Sequence, residues 1–367
     1  MKQLKALIIL IVAVVSQVMA PAAGAVDFSP KEIIFEHLGD GYGWEVPFDH
    51  HHRIPLPVMV WAEDGTFHCF SSSHIDHHNV YADGEYTWQV PAEGPNKGKV
   101  TQILPDGSEL RPAFDMSITK NVCSLWISVL VVLAVCLPVA RWHKKHGFKA
   151  PRGFVGAIEE LIEFVYKGVV KPTLGQDARR FAPYLLTAFM FIFVMNLMGL
   201  MVIFPGGANL TGNIAVTLVL SLITFCCTNL FARRHYWKEI FWPDVPLWLK
   251  CPLPIMQVIE LFGVLTKPAS LTVRLFANMM GGHMIVIVLT LIIFIMADFG
   301  AAAAGLGAVV SMLFSIFMLL LDVLVSFIQA FVFTMLSTTF IAAAQERGHG
   351  EHDSAHSPHG APDVIKQ

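Results

Sequence analysis

The sequence predicts an all-α polytopic membrane protein with five transmembrane helices, an interfacial amphipathic helix and a small extracytoplasmic N-terminal domain with some β structure. Hydrophobic residues make up 54% of the 367 residues and charged residues only 14%, which is typical of membrane proteins. Long apolar runs follow one another after residue 118, and basic clusters mark the ends of two of them. This composition argues against a soluble globular protein.

The N-terminus has the pattern of a secretory signal peptide over residues 1–25. Lys2 and Lys5 precede a short apolar core at residues 6–18, and a small-residue cleavage site follows at 23–25. An uncleaved anchor is the alternative. Either form predicts that the chain from residue 26 onward is exported from the cytoplasm.

Residues 26–118 form a predicted extracytoplasmic domain that is acidic and rich in histidine, with 15 Asp or Glu against 5 Lys or Arg. Its histidines cluster at residues 50–52 and 74–78, and alternating Tyr, Trp and Val residues at 86–90 and 100–104 indicate a few strands. Cys69 is its only cysteine, so no disulfide can form within it. Metal binding, proton buffering, docking of a neighbouring subunit and simple peripheral packing all remain open.

The membrane domain is predicted at residues 119–345. Its first span, residues 122–140, is followed by five basic residues with no acid between them, which belong on the cytoplasmic side: Arg141, Lys144, Lys145, Lys149 and Arg152. Residues 153–174 then alternate apolar and acidic positions with a helical period. This pattern predicts an interfacial amphipathic helix, with a cytosolic packing helix as the alternative.

Four further spans are predicted at residues 181–204, 214–231, 252–298 and 301–345. The last two are each about 45 residues, roughly 65 Å long as single helices and twice a bilayer, so they are expected to be strongly tilted. The turn between them is placed outside, and the His-rich tail at 346–367 is predicted to be disordered and cytoplasmic.

Arg274 is the most informative residue, because it lies in an apolar stretch long enough to cross a bilayer. A charge at membrane depth costs about 3 kcal/mol on insertion scales, and such residues usually belong to an ion or substrate path. The alternative is a side chain that reaches the interface from a helix end. Five other polar residues share the two long helices with it: Glu260, Asn278, His283, Asp322 and Gln329.

These residues are suited to moving protons. Carboxylate and imidazole groups exchange protons near neutral pH when their surroundings tune them. Glu260 is expected toward the cytoplasm, and His283 and Asp322 toward the outside, with the fixed charge of Arg274 between them. Two half-paths separated by a positive barrier cannot leak unless a carrier, such as a partner's carboxylate, bridges them.

Residues 151–345 resemble subunit a of the rotary F-type ATP synthase, the membrane stator of that complex. The motifs that carry the resemblance are Glu260-Leu-Phe-Gly-Val-Leu-Thr-Lys-Pro268, Ser270-Leu-Thr-Val-Arg274-Leu-Phe-Ala-Asn278, Asn196-Leu-Met-Gly199, Thr211-Gly-Asn213 and Ile328-Gln329-Ala-Phe-Val-Phe-Thr334. The pairing of His283 with an Asp at 322 rather than a longer Glu is a modest departure.

The resemblance implies a role for each polar residue. Arg274 would face the carboxylate of the rotating c-ring, positioned by Asn278 and Gln329. Glu260 would line the cytoplasmic half-channel, and His283 and Asp322 the outer one.

The resemblance also implies the c-ring, peripheral stalk subunit b, other ATP synthase subunits and the lipid bilayer as partners. It implies a multi-pass bacterial inner-membrane protein, with no cofactor, metal or nucleic acid and with catalysis in other subunits. The chain has no phosphate-binding loop or nucleophile motif. Competing interpretations are a stand-alone secondary ion transporter or channel and a membrane-anchored metal-binding or sensor protein. The choice between H⁺ and Na⁺ depends mainly on the c-ring site.

Overall fold

A computed structural model describes nine segments: residues 39–46, 49–75, 79–91, 94–104, 106–147, 149–201, 209–241, 255–297 and 301–345. The expected signal peptide, the outer turn at 298–300 and the tail at 346–367 lie outside these residues, as do the side chains of both histidine clusters except His74.

The chain divides into two compact units. The first unit comprises the described parts of Met1–Ala134, Phe193–Gly212 and Ala277–Phe327. The second unit comprises the described parts of Val135–Ile192, Asn213–Phe276 and Ile328–Gln367.

The N-terminal part of the first unit contains three small antiparallel sheets. Their strand orders are β1-β2, β4-β3-β9 and β5-β6-β7-β8. The strands are β1 Gly43–Val46, β2 Asp49–Pro55, β3 Pro57–Trp61, β4 Phe67–Ser71, β5 Tyr81–Asp83, β6 Tyr86–Gln89, β7 Thr101–Ile103, β8 Glu109–Leu110 and β9 Phe114–Asp115. The two runs in which the sequence indicated strands correspond to β6 and β7, which pair with Trp88 opposite Gln102.

One hydrophobic core joins the β4-β3-β9 sheet to the β5-β6-β7-β8 sheet. Side chains alternate along β3, so Val58 and Val60 are fully buried while the residues between them are not. They pack in a cluster with Phe70, Trp88 and Val100. Burial of large apolar side chains, at about 25 cal/mol per Å², stabilises the domain.

The domain continues directly into the first long helix, α1 (Lys120–His146). The backbone N–H of Lys120 donates to the carbonyl oxygen of Gly41 at 2.8 Å, and that of Asn121 donates to Asp40 Oδ1 at 3.1 Å. These bonds satisfy N–H groups that a helix start leaves without intrahelical partners. The domain is therefore fixed to the beginning of α1, which extends beyond the predicted span 122–140 at both ends.

The predicted helix at 153–174 is not one regular α-helix. The structure has α2 (Phe154–Val165), a π-helical turn at Tyr166–Val170, and α3 (Lys171–Leu174). Gly175 then adopts a positive φ of 54°, which glycine tolerates because it has no Cβ. A 3-10 turn at Gly175–Asp177 follows.

The remaining helices are α4 (Ala178–Leu200), α5 (Ile214–Leu230), α6 (Arg234–Phe241), α7 (Ile255–Ala297) and α8 (Ala301–Gln345). Helix α4 ends at Leu200, and residues 202–204 of the predicted span lie outside the described residues. The two long helices agree with the predicted runs, and α7 continues through Pro268 without a break in helical assignment.

Among the described residues, four helical stretches are long and apolar enough to cross a membrane: Lys120–His146, Phe154–Leu200, Gln257–Leu289 and Gly307–Gln345. The apolar helix α5 is shorter, with 17 residues. The membrane domain is therefore mostly helical and of the polytopic type.

Arg233 connects three elements of the second unit. Its N–H donates to the carbonyl oxygen of Ala344 at 3.0 Å, and its Nε donates to Gln345 Oε1 at 3.5 Å. Its guanidinium also lies 3.7 Å from Asp177 Oδ2, while the amide of Gln345 donates to the Phe231 carbonyl. These contacts tie the end of α5 to the end of α8.

Candidate functional site

The part of helix α7 that belongs to the second unit, residues 255–276, has a buried face and an exposed face. Leu271, Thr272 and Leu275 are at most 4% exposed and form the packed side. Arg274 lies beside this packed side, at its edge, and is exposed. At 3.6 residues per turn, Leu271 and Leu275 lie one above the other and Thr272 is on the far side of them from Arg274, which therefore borders the open surface of the helix.

Arg274 stands among short side chains. Thr266, Ala269, Ser270 and Val273 are all exposed on the same side of α7. Within the described residues, Arg274 makes no ion pair with a carboxylate. A guanidinium keeps its proton at any physiological pH and offers five N–H donors in a planar fork. The arrangement can therefore attract and bind a carboxylate that approaches α7 from outside the chain.

Hydroxyl groups join α7 to its neighbour α5 on the packed side. Thr272 Oγ1 lies 2.5 Å from Ser221 Oγ, and Thr224 Oγ1 lies 2.7 Å from the Tyr184 hydroxyl. This row was not among the predicted site residues, although its spacing is visible in the sequence. Small hydroxyl residues recur at helical intervals along one buried side of α5: Thr217, Ser221, Thr224 and Thr228. Such residues let helices approach closely in membranes.

A small cleft opens beside this row, lined in part by Asn229, Tyr236, Lys267 and Phe340. The ammonium group of Lys267 lies 5.7 Å from the ring centroid of Tyr236 and 5.4 Å from that of Phe340, both cation–π distances. Burial, and secondly the charge of Glu260, raise the pKa of the Tyr236 hydroxyl. Glu260, half-buried, therefore acts electrostatically on this cleft.

Of the other second-unit residues, Gln329 on α8 is buried, with 5% of its surface exposed. Glu260 and Arg274 are 14 positions apart on one helix, a separation of about 21 Å at 1.5 Å per residue. The structure thus keeps the two charges well apart, and Glu260 lies one helical turn before Val264, which lines the cleft.

The first unit contains a separate buried polar network. Asn196 and Thr211 are each 1% exposed, and the Thr211 hydroxyl donates to Asn196 Oδ1 at 2.9 Å. Asn196 Nδ2 donates to the carbonyl oxygen of Ser326 at 3.5 Å, and the Ser326 hydroxyl donates to the carbonyl oxygen of Asp322 at 2.7 Å. This network fixes α8 near Asp322.

The Asp322 carboxylate rests against α7 at Gly282. A Cβ atom built on Gly282 would lie 2.7 Å from Asp322 Oδ1, so only glycine leaves room for the carboxylate in this position. Asp322 Oδ2 is buried and has no hydrogen-bond partner among the described residues. Burying a carboxylate oxygen without a hydrogen-bond donor costs free energy. A bound water molecule or a proton on the carboxylate would remove that cost.

The structure therefore places the Asp322 carboxylate against Gly282, the residue next to His283. His283 is half-buried, and Asn278 is exposed one turn after Arg274 on α7. Gly282, Asn196 and Ser326 were not among the predicted site residues. Their contacts join positions up to 130 apart in the chain, a separation over which the sequence gives no pairing information.

Residues 122–342 match the family model described as ATP synthase A chain, and residues 33–120 match one described as a domain of unknown function, DUF8433. ATP synthase subunit a of Chlorobium phaeobacteroides (strain DSM 266) is 40% identical over 254 residues, covering 67% of this chain and 70% of that protein.

Two further relatives are similar. ATP synthase subunit a 2 of Chlorobaculum tepidum is 41% identical over 260 residues, with 67% and 69% of the two chains covered. ATP synthase subunit a of Anaeromyxobacter dehalogenans is 39% identical over 267 residues, with 67% and 65% covered.

Proposed function

Since the chain belongs to the ATP synthase subunit a family, we propose that it supplies two offset half-channels which deliver protons to the c-ring carboxylates and remove them again. Membership itself makes the chain a membrane stator subunit of the F-type ATP synthase, active in ATP synthesis and proton transport, with catalysis in other subunits. It also makes the chain a multi-pass protein of the inner membrane, in keeping with its bacterial relatives and apolar helices.

The observation that carries the proposal is the exposed position of Arg274. Its neighbours Ala269, Ser270 and Val273 are short, so a rotor helix can approach α7 closely enough for its carboxylate to reach the guanidinium. The positive charge favours the ionised carboxylate, which must release its proton before it passes. The same charge repels a proton that would cross directly between the half-channels.

The two half-channels are assigned polar side chains from different parts of the membrane domain. Glu260, one helical turn from the cleft, is assigned to the cytoplasmic half-channel, which the hydroxyls of α5 would help to hydrate. His283 and Asp322 are assigned to the outer half-channel, where the unbonded Asp322 oxygen provides a site for water. Asn278 and Gln329 are assigned to positioning at the rotor contact.

The topology of the proposal follows the sequence. Residues 26–118 form the extracytoplasmic domain and 119–345 the membrane domain with five crossings, so that the N-terminal domain is periplasmic and the C-terminus cytoplasmic. Residues 153–174 lie at the cytoplasmic interface. Peripheral stalk subunit b and the c-ring are the expected neighbours.

Disulfide trapping tests the rotor contact. In an assembled complex whose native cysteines are replaced, Ser270→Cys is expected to cross-link to a cysteine placed beside the rotor carboxylate, because Ser270 is exposed next to Arg274. A disulfide forms only when the Cα atoms approach within about 7 Å. The bond should block ATP hydrolysis, and a reductant should restore it.

Leu271→Cys is the matched control, since Leu271 is adjacent but 2% exposed on the packed side. It is expected to give no cross-link. Equal cross-linking at both positions, or none at Ser270→Cys in a complex that assembles normally, would contradict the assignment of this face to the rotor.

A further inference from the structure

The three-stranded sheet β4-β3-β9 has one face on the domain core and one open face. Ring contacts identify the first row of the open face: the Trp61 centroid lies 4.6 Å from that of Phe67 and 5.9 Å from that of Phe114. Phe67 is 50% exposed and Phe114 60%. These aromatic side chains therefore pack on one another and not on the core.

Two more rows continue the open face along the strands. Met59 is opposite Cys69 in the register, and its carbonyl oxygen accepts from the N–H of Met116, which is 59% exposed. Pro57 is opposite Ser71, and its carbonyl oxygen accepts from the N–H of Ile118. The nine residues of the three rows include no charged side chain: Phe67, Trp61, Phe114, Cys69, Met59, Met116, Ser71, Pro57 and Ile118.

This face is continuous in the chain with the lipid-accessible side of α1. The third row ends at Ile118, and α1 begins at Lys120 with its first N–H groups bonded back to the domain. Exposed apolar residues then recur along α1 at intervals of three or four, as one stripe: Val122, Trp126, Leu130 and Leu133.

We propose that the open face of this sheet lies in the headgroup region of the leaflet that α1 enters, so that the domain rests on the bilayer surface. A strand rises about 3.3 Å per residue. The first row (at Phe114) and the third row (at Ile118) are four residues apart, so the distance between them is roughly 13 Å. The headgroup region is roughly 5–8 Å deep on each side of the hydrocarbon core, so the sheet lies inclined against it.

Composition favours lipid as the occupant. Tryptophan with neighbouring apolar side chains is typical of the membrane interface. The β3–β4 turn next to the first row carries the exposed acids Glu63 and Asp64, which repel anionic headgroups. The contact is therefore driven by apolar burial, and it should form on zwitterionic phosphatidylcholine as well as on acidic lipid.

Nitroxide labelling of the full complex in phosphatidylcholine vesicles tests this proposal. The native cysteines are replaced, and Phe114→Cys carries the label, with Glu109→Cys on exposed β8 as the matched control. Oxygen concentrates in the membrane and a nickel chelate stays in water, so the ratio of their collision rates should be roughly tenfold higher at position 114 than at 109. Phe67→Cys provides a second position if the first variant does not assemble.

Equal ratios at positions 114 and 109 would overturn the proposal. A second outcome would also overturn the proposal. If both reagents reach the label poorly in the complex, but the chelate reaches it freely when the full chain alone is in vesicles, then a protein partner and not lipid covers the face. The expected result is the same high ratio in the complex and in the chain alone.

Discussion

Replacing Arg274 by alanine is expected to abolish ATP-driven proton pumping in inverted vesicles while the complex still assembles. A unit charge pair at 4 Å is worth about 4 kcal/mol at an effective dielectric constant of 20. Losing that attraction corresponds to roughly three orders of magnitude in rate. Because Arg274 is exposed and contacts no carboxylate in the described residues, its removal should leave the chain's own packing intact.

Two matched variants separate charge from shape. Val273→Ala shortens a side chain that is 58% exposed beside Arg274 and should pump nearly normally. Arg274→Lys keeps the charge but loses the planar fork and should recover little pumping. With the catalytic part removed, Arg274→Ala vesicles should still conduct protons passively, since the barrier between the half-channels is gone. Normal pumping by Arg274→Ala would remove Arg274 from the ion path.

Replacing Asp322 by asparagine is expected to lower pumping by at least about tenfold, because an amide cannot take up and release a proton. Asp322→Glu keeps a titratable carboxylate but moves it by one methylene group, so it should retain more pumping than Asp322→Asn and less than the wild type. Pumping is measured with assembly monitored in parallel. Wild-type rates for Asp322→Asn in a fully assembled complex would show that the proton does not pass through this carboxylate.

The glycine pair on α7 offers a geometric control for the same site. Gly282→Ala places its Cβ against the Asp322 carboxylate and should reduce pumping, whereas Gly281→Ala meets nothing within 4 Å and should not. Alanine has the higher helix propensity at both positions, so a general effect on the helix would appear equally in the two variants. A lower pumping rate in Gly282→Ala than in Gly281→Ala is therefore attributed to displacement of the Asp322 carboxylate.

The membrane helices could be predicted because hydropathy and helical period are local properties. The run at 301–345 corresponds to the observed helix α8, and α7 fills the described part of the run at 252–298. The π-helical turn at Tyr166–Val170 had no comparable pattern, since all of its residues are compatible with an α-helix.

The β domain was foreseen only at 86–90 and 100–104, where Tyr, Trp and Val alternate. The pairing of β3 with β9 joins Trp61 to Phe114, more than fifty residues later. Such a pairing depends on the packed core of the whole domain, including Trp88 and Val100, and not on any local pattern.

The polar residues of the site were visible as exceptions in apolar helices, but their neighbours were not. Arg274 and Asp322 stand out because a charge in lipid is costly. Gly282, by contrast, matters only because Asp322 rests on it, and Lys267 because Tyr236 and Phe340 lie beside it. Those contacts require the three-dimensional structure.

The central claim of two offset half-channels is tested most directly by the sidedness of thiol labelling. Glu260→Cys and Asp322→Cys are treated with a membrane-impermeant thiol reagent in inverted and in right-side-out vesicles that contain the assembled complex. The account predicts that Glu260→Cys reacts only from the cytoplasmic side and Asp322→Cys only from the opposite side. Reaction of either cysteine from both sides, or of both cysteines from one side, would contradict it.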